Sequence, residues 1–102
     1  MKVTNMTSHR SGREVPNQFI ITDEGRGALG NFNTREVFQS YKTIIAERIV
    51  WDDETRITLD REKWDCSRTT GKYRNQFLGE TIEETRRKIA DGTYKLADLN
   101  KR

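Results

Sequence analysis

The amino-acid sequence predicts an α+β fold, in which a small antiparallel β-sheet of three to five strands is followed by two C-terminal helices. Two periodicities support this order. Between residues 18 and 60, β-favouring side chains alternate with the period of two that is typical of a strand with one buried face. From residue 67 onwards, apolar side chains recur every three or four positions, as they do on one face of a helix.

Four stretches carry the strand pattern, and polar or turn-forming residues bound each of them. The longest stretch has apolar residues on both faces, so we expect it to lie in the centre of the sheet. The segment Asp23–Thr34 holds three glycines and two asparagines but lacks the Lys-Ser/Thr pair of a phosphate-binding loop, which favours an exposed hairpin loop. The predicted strands, joined as a meander, are Gln18–Thr22, Arg35–Tyr41, Thr43–Trp51 and Arg56–Asp60.

The first helix is predicted over Ser67–Leu78. Tyr73 and Phe77 lie one turn apart on its apolar side, and its first residue is a suitable N-cap. Gly79 is placed to end the helix in a left-handed conformation. Gly71 in the helix interior costs roughly 1 kcal/mol relative to alanine, so a long loop stays open as the alternative.

The second helix is predicted over Ile82–Asp91 and has clearer boundaries. Thr81 and Glu84 have the spacing of a capping box. Acidic side chains in the first turn and basic ones near the last turn match the helix dipole. We expect Ile89 to join the two aromatic residues of the first helix in one core that connects both helices to the sheet.

A chain of 102 residues is expected to form one domain. Residues 1–15 are polar without periodicity and are predicted to be a flexible N-terminal arm, which Pro16 separates from a single α+β domain over residues 16–102. Arg10 and Arg13 would give this arm a weak affinity for phosphates. One cysteine excludes an internal disulfide, and no apolar run approaches the roughly 20 residues of a membrane helix. We therefore expect a soluble cytoplasmic protein with no membrane partner.

Catalytic and metal chemistry find little support in the sequence. One Cys66 and one His9 cannot supply the set of about four ligands that structural zinc requires. Cys66 has no histidine within the fold to act as its base, so it is interpreted as a small core residue. Carboxylates are abundant, but no pair stands out for acid–base catalysis. We therefore expect a protein that is not an enzyme and that uses no metal or cofactor.

The stretch from residue 67 to residue 74 holds three basic residues and no acidic one, which points to nucleic acid as a partner. On a helix, two of these basic residues stack one turn apart and can neutralise neighbouring phosphates, while nearby amide side chains can read base edges. A merely solvated, charged helix face is the alternative. The candidate nucleic-acid-binding residues are Arg68, Lys72, Arg74, Asn75 and Gln76.

Five segments carry a resemblance to a known family: NQFIIT, FQSYKTIIA, WDCSRTTGKYRNQFLGET, TRRKIADGTY and LADLN. The third is the most specific, and its core can be written WDxSxTTGKYRNxFLGE. On these segments the chain, from about residue 15 to residue 100, resembles a family of small uncharacterised proteins encoded by tailed bacteriophages. The resemblance implies a phage origin and a place in the host cytoplasm. It implies no site residues, because the family has no assigned activity.

A second hypothesis is that the protein binds and modulates a host protein. Trp51 and Trp64 are the candidate anchors for such an interface, because tryptophan and arginine dominate interface energetics. Core filling is the alternative role for both rings. The sequence leaves the oligomeric state open.

Overall fold

A computed structural model describes residues 1–25 and 33–100 of the chain. Within these residues six strands form one sheet, and two helices lie in sequence between the fifth and sixth strands. The strands are β1 (Lys2–Thr7), β2 (Glu14–Glu24), β3 (Thr34–Ser40), β4 (Thr43–Val50), β5 (Thr55–Asp60) and β6 (Lys95–Ala97), and the helices are α1 (Arg68–Leu78) and α2 (Ile82–Ala90).

The predicted α+β class is confirmed, but the sheet has six strands rather than three to five. Its strands are neighbours in chain order, and all pairs are antiparallel except β5 with β6, which is parallel. The meander of β2 to β5 corresponds to the four predicted strands. The parallel pair arises because the two helices return the chain to the same end of the sheet before β6 begins.

The N-terminal residues differ from the prediction. Where the sequence predicted a flexible arm, β1 pairs with β2, and Met6 is 4% exposed in the core. Pro16 lies inside β2 and not at a domain boundary. A proline is tolerated at this position because the pairing with β1 is irregular there, so the missing N–H removes no hydrogen bond between the strands. β1 was not predicted because its composition is polar and its stability comes from pairing with β2.

Both helices begin as the sequence predicts. The Ser67 side chain accepts a hydrogen bond from the backbone N–H of Thr70, and Gly79 ends α1 at a φ of 71° in the left-handed region. Thr81 and Glu84 form the reciprocal capping box of α2. In the described part of the chain, neither helix is long and apolar enough to cross a membrane. The predicted Asp23–Thr34 loop falls mainly on residues 26–32, which lie outside the described residues.

The main core lies between the helices and one face of the sheet. Phe38 and Leu59 contribute from the sheet, and Tyr73 and Phe77 contribute from α1. Ile89 of α2 is partly buried against the same cluster. The prediction that Tyr73, Phe77 and Ile89 share one core is therefore confirmed.

The opposite face of the sheet, here called the open face, carries a second set of apolar side chains. Val37 is only 3% exposed, yet it does not belong to the main core. Register places Ile21 beside Val37, and Val3 beside Ile21, all on the side away from the helices. The side chains of Val3, Phe19, Ile21, Val37, Ile44 and Ile49 define the apolar part of the open face.

A buried carboxylate joins the helices to the segment before β6. The Glu80 side chain is 4% exposed and follows the end of α1. Its Oε1 accepts hydrogen bonds from Lys88 Nζ at 2.7 Å and from Tyr94 Oη at 2.8 Å. Its Oε2 accepts one from Thr85 Oγ1 at 2.6 Å. Three segments of chain therefore depend on one ionised group.

This carboxylate should make the fold sensitive to acid. Burial alone raises the pKa of Glu80, but its three hydrogen bonds and the charge of Lys88 outweigh burial, so the pKa lies below its usual value of 4.5. A lowered pKa in the folded state adds stability that is fully present above the usual value and is lost as the pH falls through the folded pKa. Urea unfolding at a series of pH values should show that the free energy of unfolding falls more steeply with acid in the wild type than in Glu80→Gln. Parallel curves would contradict the role of Glu80.

Candidate nucleic-acid interface

Helix α1 presents two of the predicted basic residues to solvent. Arg68 and Lys72 are exposed and lie one turn apart, because four residues separate them on the helix. Lys72 Nζ lies 5.4 Å from the centroid of the Tyr73 ring. The spacing that the sequence predicted for two phosphate-binding side chains is present.

Arg74 does not belong to this surface, which corrects the prediction. The residue is 1% exposed. Its Nη1 donates to the Trp64 carbonyl at 2.8 Å and to Asp65 Oδ1 at 3.1 Å, and its Nη2 donates to Asn75 Oδ1 at 2.9 Å. The guanidinium also lies 5.3 Å from the centroid of the Trp64 ring. The turn before α1 therefore satisfies this charge inside the protein, and Arg74 is not available to a phosphate.

The two predicted base-reading amides are also engaged within the fold. Asn75 accepts from Arg74 through its side-chain oxygen. Gln76 Nε2 donates to the backbone carbonyl of Thr7 at 2.8 Å. Both side chains are half-buried. They hold neighbouring segments in place and are poorly placed to discriminate bases.

The bond from Gln76 holds the turn between β1 and β2 against α1. This turn is closed by hydrogen bonds between Ser8 and Arg13 at 2.9 Å and between Gly12 and Ser8 at 2.8 Å. It brings His9 and Arg10 beside Lys72. These residues line a cleft of about 450 Å³ between the turn and the helix.

A second cleft, of about 570 Å³, adjoins the first, and Lys72 lines both. Arg68 and Arg86 lie along this second cleft, so basic side chains from the turn, α1 and α2 follow one continuous path. Asp65 is the acidic residue of the path, and it pairs with Arg74 and, at 3.4 Å, with Arg86. The basic groove, as we name it, is formed by Arg10, Arg68, Lys72 and Arg86.

Positive charge dominates the basic groove. Four of its side chains are cationic, and the one carboxylate of Asp65 is shared between two guanidinium groups. Among the described residues, Arg10, Arg68 and Lys72 form no ion pair. Exposed cations without a protein counter-ion are the groups that phosphates neutralise most readily.

The two tryptophans have different surroundings. Trp64 packs against the main core and under Arg74, which is the core-filling role that the sequence left open. Trp51 is half-buried at the end of β4, with the Arg56 guanidinium 5.2 Å from its ring centroid. Only Trp51 therefore lies outside the main core and near the open face.

Cys66 is exposed, which corrects its prediction as a small core residue. Because Ser67 is the N-cap, Cys66 precedes the helix and follows a different path. Within residues 1–25 and 33–100, no group of three or more His, Cys, Asp or Glu side chains is arranged to hold a metal ion.

Residues 1–92 match a family model described as a family of unknown function, DUF8033. The chain belongs to the DUF8033 family. No curated protein and no solved structure matches it. The predicted resemblance to an uncharacterised family is confirmed at this level. The match also covers the strand β1 and Arg10, which the resemblance had left out.

The DUF8033 chain contains two groove residues, Arg10 and Arg86, that the sequence did not predict as part of a binding surface. Arg10 was predicted to bind phosphates weakly from a flexible arm, and the structure brings it to α1. A signal was present, because Ser8 and Gly12 flank it with turn-forming residues. The signal was insufficient because nothing in the local sequence predicts the bond between Gln76 and Thr7.

Proposed function

We propose that this protein is a non-catalytic nucleic-acid-binding protein that acts through the basic groove. The observation that carries the proposal is the position of Arg10, which the β1–β2 turn brings into line with Lys72 and Arg68. Cations from two separate elements then follow one surface path, as a phosphate backbone requires. An isolated charged helix face would place only Arg68 and Lys72 together.

The binding is expected to be largely independent of base sequence. Contacts to phosphates position a protein on nucleic acid but carry no base information. The amides of Asn75 and Gln76, which would otherwise read base edges, make hydrogen bonds inside the protein. The protein should therefore bind nucleic acid through charge and without recognition of base sequence.

The biological setting is part of the same proposal. We infer a bacteriophage accessory protein that works in the host cytoplasm, on the family resemblance of the WDCSRTTGKYRNQFLGET segment. Modulation of a host protein stays the second candidate function. The half-buried Trp51 beside Arg56 favours it, since such aromatic and arginine pairs anchor many interfaces.

A triple alanine variant tests the groove. Replacing Arg10, Arg68 and Lys72 together should weaken binding to all DNA and RNA sequences alike. The slope of log K against log salt should fall by roughly three units, about one for each lost phosphate contact. The measurement is a fluorescence anisotropy titration at several salt concentrations.

The matched control removes the same charge elsewhere. Lys42, Lys63 and Lys95 are exposed and lie outside the basic groove. Their triple alanine variant should keep most of the affinity and the salt slope. Equal losses in the two variants would mean that net charge alone governs binding, and the proposal of a defined groove would then fall.

A further inference from the structure

The open face carries a set of apolar side chains, interspersed with polar ones, that the helices of this chain do not cover. The main core, with both helices, lies on the other side of the sheet. Val3 is 55% exposed on the open face, although it is apolar. In an antiparallel sheet with one solvated face, the residues that point to solvent are normally polar. Here apolar side chains occupy β1, β2, β3 and β4 on the open side.

The charges of the open face have an order across the strands. Register aligns Asp23 of β2, Arg35 of β3, Ile49 of β4 and Arg56 of β5 in one row. The acid therefore lies towards the β2 side of the row and a base towards the β5 side. Arg35 is neutralised within the chain, because its Nε lies 2.6 Å from Glu47 Oε2. Asp23 and Arg56 are the two outer charges of the row, and each also has a partner within the chain. Asp23 lies 3.5 Å from the N-terminal amine of Met1 and 3.6 Å from Arg35 Nη1, and Arg56 Nη2 lies 3.3 Å from Glu54 Oε2. Ion pairs at such exposed positions contribute little stability, so both side chains can exchange these partners for each other across an interface.

We propose that the open face packs face to face on the open face of a second copy of this chain. The two-fold axis would run parallel to the strands, between β3 and β4. This rotation places β2 of one copy over β5 of the other and keeps each residue in its row. Asp23 of each copy then faces Arg56 of its partner, and Arg35 faces Ile49. Two stacked sheets packed in this aligned way form a common interface about 10 Å thick.

A second copy fits this face better than other occupants do. The match is self-complementary, because one rotation pairs both acids with both arginines, as an isologous interface requires. Nucleic acid fits this face poorly, since its cations Arg35 and Arg56 are paired with carboxylates of the same chain and apolar side chains lie between them. The arrangement also leaves both basic grooves free, because α1 and the β1–β2 turn frame the groove on the helix side of each sheet. The proposal does not depend on nucleic-acid binding.

Charge reversal with rescue tests the pairing. Sedimentation equilibrium of the wild type at about 0.1 mM should give twice the 12.0 kDa of one chain. Asp23→Arg alone and Arg56→Asp alone should each be monomeric, because each homodimer would oppose like charges twice. An equimolar mixture of the two variants should restore a dimer, since every contact in the mixed dimer joins opposite charges. Lys42→Asp, a reversal outside the face, should dimerise like the wild type.

Milder variants cover the case in which a reversal unfolds the chain. Asp23→Asn and Arg56→Gln are neutral, and each should raise the dimer dissociation constant several-fold while the chain stays folded by circular dichroism. A monomeric wild type at this concentration would overturn the proposal. So would reversal variants that dimerise like the wild type, or a mixture of folded reversal variants that stays monomeric. Anisotropy titrations measure nucleic-acid binding separately from dimerisation, so either proposal can fail while the other holds.

Discussion

Replacing Phe77 by alanine is expected to lower the free energy of unfolding by about 3–5 kcal/mol, the usual cost of deleting a buried ring. Phe77 is 6% exposed, and its ring stacks on Phe38 with the centroids 5.9 Å apart. The Arg48 guanidinium lies 4.4 Å from the same ring and donates to the Phe77 carbonyl. A small domain has about 5–15 kcal/mol of stability in total. The variant should therefore be close to unfolding, as urea denaturation would show.

Tyr41→Ala is the matched control for this change. Tyr41 is 57% exposed in the turn between β3 and β4, so the loss of its ring removes little packing. Its φ of 57° is equally uncommon for tyrosine and for alanine, so the backbone cost at position 41 is similar in the wild type and in Tyr41→Ala. We expect a change within about 0.5 kcal/mol. Similar losses in the two variants would contradict the position of Phe77 at the junction of α1 and the sheet.

Replacing Arg74 by lysine is expected to lower the free energy of unfolding by about 2–3 kcal/mol, although the charge is kept. The planar guanidinium spans the Trp64 carbonyl, the Asp65 carboxylate and the Asn75 amide oxygen at once. A lysine ammonium on its flexible stem cannot reach all three groups. Thermal unfolding followed by circular dichroism measures the loss.

Arg68→Lys is the control on the same helix. Arg68 is exposed, so this change should alter stability by less than about 0.5 kcal/mol. Arg74→Gln removes the charge, and at a temperature where this variant is folded it should keep the wild-type salt slope of nucleic-acid binding. A reduced slope in Arg74→Gln would mean that this guanidinium contacts phosphate and that its burial is not maintained in solution.

The elements that the sequence predicts well are those whose signals are local. The capping box of Thr81 and Glu84, the Gly79 end of α1 and the alternation of β3 and β4 depend on neighbours in the chain. β1 was missed because its stability depends on pairing with β2, and β6 because three residues carry no readable period. Both are edge strands of the sheet, and whether such a strand forms depends on tertiary contacts more than on its local sequence.

The residues of the candidate site also differ in whether local sequence predicts their positions. The exposure of Arg68 and Lys72 follows from helical spacing alone. The burial of Arg74 does not, because its partners Trp64 and Asp65 lie in a turn whose path no pattern predicts. The place of Arg10 depends on a contact between Gln76 and Thr7, which are 69 residues apart in sequence. Non-local hydrogen bonds therefore decided which basic residues share the groove.

The most direct test of the basic groove is an NMR titration of the ¹⁵N-labelled protein with a short duplex at low salt. We expect the amides around Arg10 and those of Arg68 and Lys72 to shift together with one midpoint. The amides of Ile21 and Val37 on the open face should stay in place, and salt should reverse the shifts. No shift at low salt, or shifts on α1 that leave the turn at Arg10 unchanged, would contradict the groove as the nucleic-acid-binding site.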